Sequence, residues 1–92
     1  MGNFEVMKRK QLEQWLEAHD FSVLLADGFD EAFLGVETSD DIHRAVYSIE
    51  KCISLLCRTM MEDDAKDYFY FNTMGSYVGE HTPIFIHTPC TH

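Results

Sequence analysis

The residues best suited to chemistry fall in two stretches of this 92-residue sequence. The segment 72–81 contains an amide, a phenol, a carboxylate and an imidazole: Asn72, Tyr77, Glu80 and His81. The turn 27–31 adds three carboxylates: Asp27, Asp30 and Glu31. Together these groups could bind a divalent cation, exchange protons with a substrate or contact a protein partner. Ordinary turn chemistry explains the Asp-Gly stretch equally well, and its spacing matches no EF-hand loop.

The remaining reactive residue types give weaker patterns. Zinc ligands could come from the C-terminal end, which contains His81, His87, Cys90 and His92. The spacing His87-x-x-Cys90-x-His92 is not a usual structural zinc spacing, so we predict no metal site and no cofactor. We assign no catalytic residue, because the sequence has neither a Gly-x-Ser-x-Gly motif nor a glycine-rich phosphate loop. Cys52 and Cys57 are interpreted as small buried residues.

Aromatic residues crowd the segment just before Asn72. Four of them are consecutive: Tyr68, Phe69, Tyr70 and Phe71. A single helix face cannot bury all four, so some aromatic surface is expected to be exposed. Exposed aromatic side chains are typical of interfaces, and Tyr68, Tyr70 and Phe71 are therefore our interface candidates.

The first half of the chain predicts one helix and two strands. Apolar residues at helical spacing predict an amphipathic helix over about 5–19, with one face formed by Leu12, Trp15, Leu16 and His19. Two short apolar runs, 22–26 and 32–36, flank the Asp27-Gly28 turn and predict a β-hairpin. Gly35 within the second run indicates a bulge.

The second half predicts two helices between short strands. A third strand at 45–47 is followed by a helix over about 48–58 with Ser48 as its N-cap. Thr59 and Glu62 match a capping box for the next helix, and Gly75 is predicted to end it. The inner face of that helix is predicted to contain Ala65, Tyr68, Phe69 and Asn72. Pro83 precedes a last strand at 84–86.

These elements predict an α+β fold in the order α-β-β-(β)-α-α-β, with a small antiparallel or mixed sheet of three to four strands and about three helices. We expect one domain over 1–92, with 1–4 and 88–92 frayed. His19 and His43 are expected to be surface or capping residues.

The net charge of −9 comes from 16 acidic and seven basic residues. Three of the bases and one of the acids lie in residues 1–10, so residues 11–92 carry −11. Such a body repels nucleic acid and anionic membrane, and it favours a partner protein with a basic surface. Solubility alone is a sufficient alternative reason for the charge. No apolar run reaches the length of a membrane span, and no signal peptide is recognised, so a cytoplasmic location is expected.

A longer motif covers the same segment as the candidate site. It is Tyr-Phe-x-Phe-Asn-x-x-Gly-x-Tyr-Val-Gly-Glu-x-Thr-Pro over residues 68–83. This pattern resembles a signature of short, uncharacterised phage and prophage proteins, and further similar residues extend the resemblance over about 21–86. The family implies a phage setting and no known activity.

Three functions follow as hypotheses. The first is an acidic phage-type interaction protein in the host cytoplasm, which inhibits an antiviral or nucleic-acid-handling protein as an anti-CRISPR-like factor or a charge mimic. The second is a nucleotide- or metal-binding module, or an enzyme, with its site at the 72–81 corner and the 27–31 turn. The third is a homo-oligomer assembled through the exposed aromatic residues.

Overall fold

A three-stranded mixed sheet lies at the centre of the computed structural model, which describes residues 8–75 and 79–89. Along the chain the elements are α1 (Arg9–Ala18), a 3-10 turn (Asp30–Ala32), β1 (Phe33–Glu37), β2 (Arg44–Ser48), α2 (Ile49–Leu56), α3 (Glu62–Tyr68), a π-helical turn (Phe69–Thr73) and β3 (Ile84–Ile86). Strand β2 is central; it pairs antiparallel with β1 and parallel with β3. The predicted α+β class is confirmed.

The predicted hairpin around Asp27-Gly28 is wrong. Residues 22–26 form no strand, and Gly28, at a φ of 88°, leads into the 3-10 turn instead. The backbone N–H of Ala26 donates to the phenol oxygen of Tyr47 at 2.8 Å, so this segment is fastened by a core side chain rather than by a strand ladder. The observed hairpin joins β1 to β2 through residues 38–43. Strand β2, which corresponds to the short strand predicted at 45–47, is the central one.

The predicted bulge in β1 is confirmed. Phe33 lies opposite Tyr47, whereas Gly35 lies opposite the adjacent Val46, so one extra residue is accommodated between them. That residue is Leu34, whose surface is 52% exposed. The apolar run 32–36 therefore does not form one buried strand face, because Ala32 belongs to the 3-10 turn and Leu34 points outward.

Aromatic rings hold the sheet to the helices. Tyr47 is fully buried, with ring centroids 5.8 Å from Phe33 and 5.6 Å from Phe85. Phe69 is also fully buried and contacts Phe29 and Phe85 edge to face, at 6.3 and 5.3 Å. The two rings thus share Phe85 of β3 as a common neighbour, and the core is continuous from the sheet to the π-helical turn.

The Tyr47 hydroxyl gives a direct stability prediction. Tyr47→Phe removes the acceptor of the Ala26 N–H and is expected to lower the free energy of unfolding by about 1–2 kcal/mol, since a partly buried donor loses its partner. Urea denaturation followed by circular dichroism measures the change. Tyr68→Phe, at a 43% exposed tyrosine, is the matched control and should change little. Equal stability of both variants would contradict the structural role of this hydrogen bond.

Helix α2 begins as predicted, but α3 does not. The hydroxyl oxygen of Ser48 accepts the N–H of Lys51 at 3.1 Å, which confirms Ser48 as the N-cap. The Thr59 capping box is wrong: the N-cap position of α3 is Met61, and the Thr59 hydroxyl donates to the Leu56 carbonyl at 3.4 Å. Thr59 lies too early in the chain to cap α3, so its hydroxyl terminates α2 instead.

Two cysteines of the α2 region differ in burial: Cys52 lies in the middle of the helix and Cys57 follows its last residue. Cys52 is fully buried, as predicted, and burial raises the pKa of its thiol to about 12. Cys57 is exposed, so its predicted burial is wrong. It lies at the C-cap of α2, beyond the apolar face that packs on the core.

Helix α1 packs through its apolar face, as predicted. Leu12 and Leu16 are buried, and Trp15 packs at 5.5 Å from Phe21 and 6.1 Å from Phe33, so three of the four predicted face residues face inward. His19 is the exposed C-cap residue, in agreement with its predicted surface role. Within 8–75 and 79–89, no helix has the length and apolar character needed to cross a membrane.

Candidate functional site

The carboxylates of the 27–31 turn are bound to arginines of neighbouring helices. The Arg9 side chain donates from Nε to both oxygens of Asp30, at 3.0 and 3.2 Å, and from a terminal nitrogen to Asp27 at 3.0 Å. The Asp30 hydrogen bonds are the largest cause of a raised pKa for Arg9. These contacts link α1 to the turn, so Asp30 serves the fold.

Glu31 makes the equivalent connection to α2. Arg58, just after that helix, donates two parallel hydrogen bonds to the Glu31 carboxylate at 3.0 and 3.2 Å. These bonds hold the pKa of Glu31 below its usual range. A cation or substrate at Asp30 or Glu31 would have to displace a guanidinium group, which weakens their assignment as a free carboxylate site.

Asp27 and Asn72 both line an open groove of about 740 Å³. Its walls are mainly apolar and come from the segment 24–29, the end of α2, α3 and β3. The large apolar and aromatic side chains of its lining include Leu24, Leu55, Leu56, Tyr68 and Phe85. The apolar walls could not be predicted from the sequence, because they come from four separate elements.

The other predicted site residues lie elsewhere or outside the described chain. The Nδ1 atom of His81 lies 2.9 Å from the backbone carbonyl oxygen of His43, so this ring fastens the 79–82 turn to the start of β2. Glu80 is exposed, and neither residue lines the groove. Tyr77 falls outside 8–75 and 79–89. Of the predicted ligand-site residues within the described chain, only Asp27 and Asn72 line the groove.

The aromatic residues after α3 are divided by a π-helical turn. The Met74 N–H donates to the Phe69 carbonyl five residues earlier, at 2.8 Å. Phe69 points into the core, while Phe71 is 81% exposed and Tyr70 is 42% exposed. The predicted inner face is right for Ala65 and Phe69, but Tyr68 and Asn72 are exposed residues at the groove.

Gly75 follows Met74, the C-cap residue of the π-helical turn, so the helical segment ends where predicted. The φ of Gly75 is not positive, so this residue does not end the helix in a left-handed conformation. A Cβ atom at Gly75 would lie 3.2 Å from the Tyr70 carbonyl oxygen and 3.3 Å from that of Phe71. The glycine therefore permits close packing against the π-helical turn, and the left-handed conformation occurs at Gly79, with a φ of 108°.

One helical surface combines negative charge with exposed aromatic rings. Each of its residues lies three or four positions from another member of the set: Asp63, Asp67, Tyr70, Phe71 and Met74. All five are exposed, and we call this surface the acidic–aromatic face. On the same helix Lys66 pairs with Glu62 at 3.4 Å, so the nearby cation is neutralised by its own neighbour.

A polar network near the end of β3 was not found from the sequence. The Glu50 carboxylate accepts the Thr88 N–H at 2.7 Å and lies 2.7 Å from Nδ1 of His87, while the Thr88 and Ser48 hydroxyls are 2.6 Å apart. The Thr88 hydrogen bond is the largest cause of a Glu50 pKa of about 2. The network fastens residues 87–88 to the start of α2.

This network predicts a pH-dependent contribution to stability. The pKa of Glu50 falls from 4.5 to about 2 on folding, so its contribution is fully present above 4.5 and disappears as the pH falls towards 2. Wild type should exceed Glu50→Gln in unfolding free energy near pH 6, and the difference should vanish near pH 2. Glu17→Gln, at an exposed position of α1, is the control. A constant difference between wild type and Glu50→Gln across this range would contradict the assignment.

Only some of the candidate zinc ligands lie within the described residues. Cys90 and His92 lie outside it, and His87 is engaged with Glu50. Within 8–75 and 79–89, no group of three or more His, Cys, Asp or Glu residues is placed to hold a metal ion.

Comparison with known protein families, curated proteins and solved structures finds no match to this chain. Function is therefore inferred from the groove, the acidic–aromatic face and the distribution of charge.

Proposed function

We propose that this chain is a small acidic interaction protein that binds the basic surface of a partner protein. The observation that carries the proposal is Phe71, which is 81% exposed on the same helical surface as the carboxylates of Asp63 and Asp67. Large aromatic side chains are enriched at the centres of interfaces, and flanking carboxylates favour partners that carry Lys and Arg. The acidic–aromatic face thus offers both an apolar anchor and charge complementarity.

The charge distribution supports a basic partner. Four of the seven cationic side chains are paired with carboxylates of the same chain: Arg9, Arg44, Arg58 and Lys66. Their charge is locally cancelled, which leaves the excess of acidic residues to set the surface potential. A negative potential of this kind speeds the approach of a basic protein and repels nucleic acid and anionic lipid. It also opposes self-association through the acidic–aromatic face, because two such faces would bring like charges together.

The partner we propose is a host protein that handles nucleic acid or acts in antiviral defence. Such proteins carry basic surfaces for phosphate, and a compact acidic domain can occupy them as a charge mimic. The resemblance of residues 68–83 to phage proteins supports an inhibitor of this kind, similar in action to an anti-CRISPR, in the host cytoplasm.

The test is capture of a partner from bacterial lysate, followed by competition with the nucleic acid of that partner. We expect a specific partner whose retention falls as NaCl rises from about 0.1 M to about 1 M, because the screening length shrinks from about 10 Å to about 3 Å. Asp63→Asn/Asp67→Asn should weaken retention. Glu13→Gln/Glu17→Gln, which changes the charge of α1 equally, is the matched control.

Three results would count against this function. Absence of any retained partner would remove its main expectation, and salt-independent binding would exclude charge mimicry. Light scattering that shows a homodimer, disrupted by Tyr70→Ala without loss of the fold, would favour self-assembly instead.

A second candidate, a nucleotide- or metal-binding site, is supported by the presence of Asp27 and Asn72 in the lining of the groove. A nucleotide or another small ligand bound there would raise the melting temperature at saturating concentration. A thermal-shift screen with nucleotides and divalent cations measures this directly. No shift with any of them would leave the interaction function as the better supported one.

A further inference from the structure

The groove beside α3 has the size and lining of a binding pocket rather than of a packing defect. Its volume of about 740 Å³ falls within the range of about 300–1,000 Å³ that is typical of ligand pockets. Leu24, at its border, is 44% exposed, and Tyr68 is 43% exposed. A space of this size accommodates a large aromatic side chain together with an aliphatic neighbour.

Two carboxylates lie at or beside the groove: Asp27 in its lining, and Asp64 on the helix next to it. The Asp27 side chain is 95% exposed, and only its Oδ1 atom meets Arg9, at 3.0 Å. Asp64 is exposed and lies one helical turn before Tyr68, on the groove side of α3. An occupant therefore needs an apolar body and positive charge next to it, which a nucleotide lacks.

The groove is continuous with the acidic–aromatic face through one helix. Tyr68 and Asn72 line the groove, while Asp67 and Phe71, their immediate neighbours in sequence, lie on the acidic–aromatic face. Consecutive residues of a helix point about 100° apart, so these two sets lie on adjacent sides of the same helical segment. A partner that covers Phe71 consequently reaches the groove without a second docking event.

We propose that the groove takes the apolar anchor of a basic partner segment: a large aromatic or aliphatic side chain flanked by Lys and Arg. This inference rests on the proposed interaction function and adds the chemistry of the recognised segment. The anchor displaces water from Leu24, Leu56 and Phe85, and the flanking cations lie near Asp27 and Asp64.

Two labelled peptides of equal charge test the inference. Both carry four arginines, and one has Trp-Leu at its centre where the other has Gly-Ser. We expect the Trp-Leu peptide to bind at least about 10-fold more tightly by fluorescence anisotropy, since burial of the anchor is worth more than one decade in affinity. Its amide chemical-shift changes should centre on Leu25, Gly28, Leu56 and Thr73.

Two groove variants and one control locate the effect. Leu24→Asn and Tyr68→Ser, both at partly exposed positions, should each reduce the preference for the Trp-Leu peptide to less than about 3-fold. Leu34→Asn, at the exposed bulge of β1, should leave it unchanged. If Leu24→Asn fails to fold, Tyr68→Ser gives the same comparison.

The remaining outcomes separate this inference from the proposed function. Equal affinity for both peptides, or shift changes confined to Tyr70, Phe71 and Met74, would overturn the groove inference while the acidic–aromatic face retained its role. A captured partner with no binding of either peptide would do the same. Shifts at the groove caused by a nucleotide, with none caused by the peptides, would assign the groove to a small ligand. Absence of both peptide binding and a captured partner would overturn both proposals.

Discussion

Phe69→Ala is expected to lower the free energy of unfolding by about 3–5 kcal/mol. The Phe69 ring is fully buried between Phe29 and Phe85, and it joins the π-helical turn to the sheet. Truncation removes this apolar surface and leaves a cavity that the neighbouring rings fill only in part. Domains of ordinary stability have about 5–15 kcal/mol in total, so the variant should be close to its unfolding threshold.

Phe71→Ala is the matched control for this prediction. It removes the same atoms two residues later on the same helical segment, but from a side chain that is 81% exposed. We expect its unfolding free energy to stay within about 0.5 kcal/mol of wild type. Urea denaturation followed by circular dichroism compares the two variants. Similar losses for both would show that Phe71 is buried in solution and that the acidic–aromatic face is not a free surface.

Phe71→Ser is expected to weaken binding to the captured partner by at least about 30-fold. Truncation of a central aromatic anchor typically costs 2 kcal/mol or more of binding free energy, and each 1.4 kcal/mol is a factor of about ten. The exposed ring lies among carboxylates, so its contact with the partner would be surrounded by charge pairs that exclude water. Surface plasmon resonance gives the dissociation constant, and the loss should come mainly from faster dissociation.

Leu34→Ser provides the comparison for binding. Leu34 is another large apolar side chain on the surface, 52% exposed at the bulge of β1 and away from the acidic–aromatic face. Its substitution should change the partner affinity less than about 3-fold. A larger effect at Leu34 than at Phe71 would move the interface to the sheet edge.

The sequence predicted the class of the fold better than the pairing of its strands. The apolar run 22–26 is followed by an Asp-Gly turn, as a hairpin strand would be, but its partly buried residues Val23, Leu25 and Ala26 pack on the aromatic core. The Ala26 N–H bonds to Tyr47. Nothing local distinguishes that arrangement from a hairpin, because the decisive partner is 21 residues away. Ser48 was predicted correctly since an N-cap depends only on the next three residues.

The exposed aromatic surface at 68–71 was also predicted from local sequence, whereas the contacts around it depend on residues that are distant in the chain. Sequence reasoning identified the excess of aromatic residues at 68–71, because four consecutive rings exceed what one helix face can bury. It did not identify the π-helical turn, which depends on the close approach of Gly75 to the carbonyl groups of Tyr70 and Phe71. The Glu50 network likewise joins residues that lie 37 and 38 positions apart.

The parallel pairing of β2 with β3 delays completion of the sheet until its last strand has been synthesised. Everything between the two strands, including both helices and the π-helical turn, must be synthesised before Ile84–Ile86 emerges to complete the sheet. Until then Tyr47 and Phe69 lack Phe85, their shared neighbour. A nascent chain stalled before residue 84 therefore leaves one side of each of these two core rings uncovered, and the arrival of β3 covers both in one late step.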